Sequence, residues 1–371
     1  MNTARFLCLA LVAFLFLSVG CHRQGTMVRR SGDEIMVAGQ LFHTGAPVVM
    51  WTDPGGYDAY RTERRFAPWD KASYNATTQE AADLAKEGRK VPFEIDSPNR
   101  FAVRHQQLDA QTLERVRGGG WDLKTVQENV DQFVYHYDVT GASRQTHKIL
   151  HDIRDLSVQF MLDTDGTIYQ TMDLKDGAWH ATKSNFRSIG IEIANIGAYP
   201  VNDKDQTLDQ WYRKDEKGQT RMVLPAFMAK TSGIRTPNFV AHPARNEPVV
   251  GTIQGKQLRM YDLTPQQYDS LIKLTATVCT VLPKINCDAP RDASGKIIDH
   301  ALTDEQWANY QGLMGHFHVQ TNKTDPGPAF DWNKLISGAR KLMSGKALKA
   351  NKTMLGHPVK KFPSTQPFTI H

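Results

Sequence analysis

The sequence has no apolar run of the roughly 20 residues that a membrane-spanning helix needs. The apolar stretch at 6–19 has 14 residues, follows Arg5 and ends at Gly20-Cys21. That pattern is a secretory signal, so 1–20 is predicted to be a signal peptide and the protein to be exported. Ser18-Val19-Gly20-Cys21 resembles a bacterial lipoprotein cleavage box, in which the cysteine carries the lipid; the other reading is an ordinary signal with an incidental cysteine. His22 stands where an inner-membrane-retaining Asp would be, so a lipid anchor at Cys21 predicts the periplasmic face of the outer membrane. Without the lipid, the chain is periplasmic or secreted.

Cysteine is scarce. Of four, Cys8 lies in the signal and Cys21 at its cleavage junction, which leaves Cys279 and Cys287 for the mature fold. An oxidising compartment permits a disulfide between them, while the position of Cys279 on an apolar helical stripe equally suits simple burial. Acidic residues are missing altogether after Trp332, where eight Lys/Arg stand with no Asp or Glu. The net charge of +6 is therefore local, and the rest of the chain carries 37 basic against 39 acidic residues. A nucleic-acid protein would spread basic and aromatic residues over its folded part, so no nucleic-acid partner is expected. The basic end, 346–371, reads as a flexible tail, either solvated or held near anionic envelope polymers. No internal repeat is present.

What remains divides into regions. Residues 22–125 form a mixed segment of unknown role, either an extension packed on the domain that follows or a small separate domain. It contains the Pro54-Gly55-Gly56 turn, a helix at 78–87, and a second helix through Leu113 and Val116 stopped by Gly118-Gly119-Gly120. From 126 to 345 strands and helices alternate, which predicts an α/β domain with a mixed central β-sheet flanked by helices. Its strands are predicted at 133–136, 157–162, 167–171 and 189–193, with a tight turn at Asp163-Thr164-Asp165-Gly166. Within it an insertion covers about 200–300, including an exposed hairpin at 211–224 and a helix opened by Thr264-Pro265-Gln266-Gln267. Thr as cap, Pro at the first helical position and Gln three residues after the cap form a capping box. A last helix begins near Trp332.

His136 lies inside an apolar strand, where a lone histidine is usually a hydrogen-bonded core residue. A second cluster, Gly315-His316-Phe317-His318 followed by Lys323-Thr324-Asp325-Pro326-Gly327-Pro328, changes that reading. Two imidazoles and a carboxylate supply three metal ligands and leave one position for water, the arrangement of catalytic zinc. No His-Glu-x-x-His helix occurs, which counts against one large class of zinc peptidases. His147, His151, His242 and His357 carry no pattern of their own and read as surface or core residues.

The string from Lys323 to Trp332, with Trp179-His180-Ala181 and Ser188-Ile189-Gly190-Ile191-Glu192, resembles the type 2 N-acetylmuramoyl-L-alanine amidases, relatives of the peptidoglycan recognition proteins. The resemblance covers about 130–200 and 310–335. It implies that His136, His316 and Asp325 bind Zn²⁺, that Glu192 and Lys323 are catalytic, and that the substrate is peptidoglycan or its muropeptides. His180 falls in the Trp-His-Ala block and either lines the substrate cleft or is a structural imidazole. The step from His316 to Asp325 is nine residues, one fewer than the family pattern suggests, which keeps His318 open as a substitute for His316. Tyr137, after the first histidine, also departs from the pattern. Two other functions stand beside the amidase: a non-catalytic peptidoglycan receptor, and a zinc peptidase cutting within the stem peptide.

Overall fold

The computed structural model describes residues 24, 27–61, 101–104, 108–116 and 120–353. The predicted signal peptide, Cys21, the helix at 78–87 and His357 lie outside the described residues. No described helix is long and apolar enough to cross a membrane.

A six-stranded mixed sheet forms the centre, in the order Gly312–Gly315, Gln132–Tyr137, Ser188–Ile193, Phe160–Leu162, Ile168–Gln170, Val48–Met50. The pairs are parallel except for the antiparallel Phe160–Leu162 and Ile168–Gln170, which the Asp163–Gly166 turn joins. The central strands are covered on both faces, which is why they read as nearly continuous apolar runs. Side chains alternate across the sheet. In Gln132–Tyr137 this sends Phe133 and Tyr135 to the main core, where Tyr135 meets Phe330 and Trp332 with ring centroids 5.4 and 5.6 Å apart and its hydroxyl lies 2.9 Å from Thr275 Oγ1. Val134 and His136 point to the other face.

The helix Pro265–Val281 packs on the core face and starts as its sequence requires. Thr264 Oγ1 accepts from Gln267 N at 3.0 Å, and Gln267 Oε1 accepts from Thr264 N at 2.9 Å. Cys279 is buried on its stripe and Cys287 half-buried beyond its end; neither is in a disulfide. The helix Trp332–Thr353 begins where expected and runs into the segment read as a tail. After the strand Gln132–Tyr137, the chain is α-helical over Ser143–His147 and continues as a π-helix over Lys148–Ile153.

The insertion holds the expected hairpin, Tyr212–Lys214 with Thr220–Met222, and a second one, Val249–Ile253 with Lys256–Met260. Arg245 ties it to the C-terminal loop by donating to the Asp262 carboxylate at 2.6 Å and to the Ala329 carbonyl.

Described parts of the segment between 32 and 126 pack onto the central sheet. Val48–Met50 is its edge strand, pairing with Ile168–Gln170. The Gln170 side-chain amide exchanges two 2.8 Å hydrogen bonds with the Met36 backbone, and the Asp173 carboxylate accepts from Ala38 N and Gly39 N at 2.7 Å each. Arg61 reaches Asp152 at 3.0 Å, beside a 2.8 Å contact between Asp152 and His151.

Candidate metal centre and its cleft

The parallel register puts the chemistry at one end of the sheet. His136 stands directly opposite Glu192 on the neighbouring strand, and Gly315 opposite Tyr135, so that His316 leaves the next strand at the same level. Ligands of open α/β sheets bind outside the carboxyl ends of the strands, and these residues lie there. A loop returns Asp325 to the same point despite the nine-residue step. His136 Nδ1 and His316 Nδ1 are 3.0 Å apart, and Asp325 Oδ2 is 2.9 Å from each. All three residues are buried.

His318 is not a substitute for His316. Residues two apart on a helix do not share a face, and on the short helix His316–Val319 the second imidazole turns inward. Its Nδ1 accepts from Gly315 N at 2.9 Å, and its Nε2 donates to the Ile298 carbonyl at 2.7 Å.

The surrounding hydrogen bonds fix the tautomers of the converging imidazoles. Ser188 Oγ donates to the Ser184 carbonyl at 2.6 Å, so it must accept from His180 Nε2, 3.2 Å away. His180 Nδ1 is then left with a lone pair and accepts from His136 Nε2 at 3.0 Å. The proton of His136 therefore sits on Nε2, and its Nδ1 presents a lone pair to the cluster. His316 Nε2 likewise donates to Gln320 Oε1 at 2.6 Å, which frees its own Nδ1. Two lone pairs and a carboxylate oxygen thus face one another with no proton between them, an arrangement that suits a cation.

Burial favours the neutral form of His136 and His180. Burial, then the neighbouring His316, lowers the His136 imidazole to about 4. Burial, then His136, holds His180 well below the ordinary histidine value. Burial alone would raise the Asp325 carboxyl, yet beside the two imidazoles it is held well below the usual carboxylate range. Neutral imidazoles and an ionised carboxylate are the forms that bind metal. Glu192 shows the opposite behaviour. Burial, reinforced by the charges of Asp325 and Asp138, raises it well above its usual value against the opposing charge of Lys323, and its Oε2 is buried without a partner.

The cluster opens into a cleft of about 340 Å³ lined by His136, His180, Glu192, His316, Lys323 and Asp325, with Arg154 and Trp179 on its walls. All six residues singled out from the sequence therefore border one cavity. The deviating Tyr137 lines it as well, and its hydroxyl lies 2.6 Å from Thr324 Oγ1, between Lys323 and Asp325. Among the described residues a second His/acid group, Asp33, Glu34 and His43, lies outside this cleft; Glu34 Oε2 there already accepts from Gly32 N and Asp33 N.

Sequence reasoning missed Gln320, Ser188 and Gly190. Gln320 lies four residues after His316, a helical spacing that could have revealed it. Ser188 and Gly190 stood inside the quoted Ser-Ile-Gly-Ile-Glu string without a role. Their role is steric as well as polar: a Cβ on Gly190 would lie 2.6 Å from His180 Nδ1, so only glycine lets that ring reach His136.

A family model described as N-acetylmuramoyl-L-alanine amidase matches residues 126–328. No curated protein matches the chain. Solved structures that resemble it include a selenomethionine derivative of AmpD, at 18% identity and a TM-score of 0.28, covering 57% of this chain and 86% of that one. The amidase AmiD from E. coli, in complex with anhydro-N-acetylmuramic acid-L-Ala-D-gamma-Glu-L-Lys, matches at 16% identity and a TM-score of 0.31, with coverage of 63% and 61%. The amidase LysC from Clostridium intestinale URNW matches at 15% and 0.28, with coverage of 58% and 88%.

Proposed function

The chain belongs to the N-acetylmuramoyl-L-alanine amidase family, enzymes that hydrolyse an amide bond of peptidoglycan, and we propose that it does so with zinc held by His136, His316 and Asp325. The observation that carries this reading is the convergence of two proton-free imidazole nitrogens and one carboxylate oxygen, 2.9–3.0 Å apart, at the floor of a cleft that also holds Glu192 and Lys323. A zinc ion there supplies a Lewis acid that lowers the pKa of water and polarises a carbonyl.

The remaining chemistry falls to side chains of this chain. Glu192 takes a proton from the attacking water and delivers it to the departing amine nitrogen, a general acid–base role. Its Oε2 is shut off from solvent, which disfavours the charged form and raises its affinity for that proton. Lys323 stabilises the negative charge that develops on the carbonyl oxygen. The C–N bond between the lactyl carbonyl and L-alanine breaks; the water oxygen stays on the lactyl carbon, and the amine leaves with the proton from Glu192. His180 keeps His136 in the ligating tautomer and forms part of the cleft wall that meets substrate.

The substrate is peptidoglycan or its muropeptides, which agrees with a site of action outside the cytoplasm. The catalytic domain runs over 126–345, with an insertion at about 200–300. A signal over 1–20 exports the chain, and a lipid on Cys21 holds it at the periplasmic face of the outer membrane. Purified protein incubated with muropeptides, with zinc or with EDTA, tests the reaction. Mass spectrometry should find an intact peptide beginning with L-alanine, and EDTA should abolish it. A cut within the stem peptide would replace the amidase with a peptidase, and products indifferent to EDTA would remove zinc from the reaction.

A further inference from the structure

From the segment preceding the family-matched residues 126–328, one buried side chain reaches the backbone next to the metal centre. Phe101–Val103 pairs antiparallel with Asp176–Ala178, the strand that leads directly into Trp179 and His180. The next residue, Arg104, is only 2% exposed. Its Nη1 donates to the Phe186 carbonyl at 2.9 Å and to the Ser188 carbonyl at 3.0 Å, and its Nη2 donates to the Leu174 carbonyl at 2.9 Å. Its Nε is buried without a partner. Burial drives its guanidinium down to about 10. A buried arginine held by carbonyls is an expensive way to fill space, but its rigid fork can bind several oxygens at once.

Those oxygens bracket the chain of hydrogen bonds at the site. Leu174 precedes the strand that leads to His180, and Phe186 and Ser188 stand at the end of the loop that follows it. Ser188 is also the residue whose hydroxyl fixes the His180 tautomer, and so the lone pair of His136. We propose that Arg104 is a positioning residue for the metal centre. By clamping both ends of the 174–188 segment, it sets His180 against His136, which makes the N-terminal segment an integral part of the catalytic site. This rests on the metal reading of His136, His316 and Asp325.

The test uses the full chain as wild type, Arg104→Lys, His180→Ala and the double variant, with zinc affinity measured by chelator competition and the visible absorption of the cobalt(II)-loaded protein as a second readout. Arg104→Lys keeps the charge but loses the fork. It should weaken zinc about tenfold, the lower end of what outer-shell partners are worth, and shift the cobalt bands. In the His180→Ala background the same change should have no further effect on zinc affinity, because the connecting imidazole is gone. Unchanged zinc affinity in Arg104→Lys would overturn the proposal, as would an equal loss with and without His180. Absence of a cooperative melt in both Arg104→Lys and Arg104→Gln would overturn it too, by making Arg104 a folding residue. A wild-type protein that binds no zinc would instead sink the underlying metal reading.

Discussion

Replacing Glu192 by glutamine separates holding the metal from moving the proton. The side chain keeps its volume and its place opposite His136, but it can no longer accept a proton from water. If Glu192 is the general acid–base group, kcat should fall about 100- to 10,000-fold, which is about 3–5 kcal/mol of transition-state stabilisation. Zinc affinity should stay within a factor of about two, since none of the three ligand atoms is touched. Stability should move the other way. The folded-state pKa of Glu192 is raised, so its contribution to stability is fully present below the unfolded-state value and is lost as pH rises through the folded one. Metal-free Glu192→Gln protein should therefore melt higher than wild type at neutral pH, with the difference vanishing toward acid. Turnover of a purified muropeptide, chelator competition and thermal melts across pH read the three effects. A kcat within threefold of wild type would refute the proton-transfer role, and a lower melting temperature at neutral pH would refute the reasoning about burial.

Two further predictions concern the metal and its support. Asp325→Ala should retain the fold but weaken zinc by more than about a hundredfold, beyond the range of an outer-shell change, and abolish hydrolysis; wild-type turnover in that variant, with zinc assayed in the same sample, would remove Asp325 from the centre. Gly190→Ala drives a methyl group to 2.6 Å from the His180 ring. It should destabilise the protein by about 1–3 kcal/mol and weaken zinc as His180 is displaced, with denaturant melts and chelator competition as the checks; intact zinc affinity would show that His180 does not orient His136.

Much of the catalytic half was legible in the sequence because its signals are local. Strand alternation around His136, the capping box at Thr264 and the strings around Glu192 and Asp325 each depend on residues a few positions apart, where backbone geometry leaves few alternatives. The family resemblance added the roles. The choice between His316 and His318 was not local. Both imidazoles lie on one short helix, and the pairing of Gly315 with Tyr135 across the sheet decided which one met His136. Likewise, whether a nine-residue loop returns Asp325 to that point depends on how it packs against the insertion and Tyr137. Arg104 and the edge strand Val48–Met50 left no trace in the sequence, because their partners lie far along the chain and are mostly backbone atoms. A carbonyl oxygen or a strand edge has no residue type to recognise. Composition and spacing determined which side chains could bind a metal and move a proton; only the folded chain decided where their protons point.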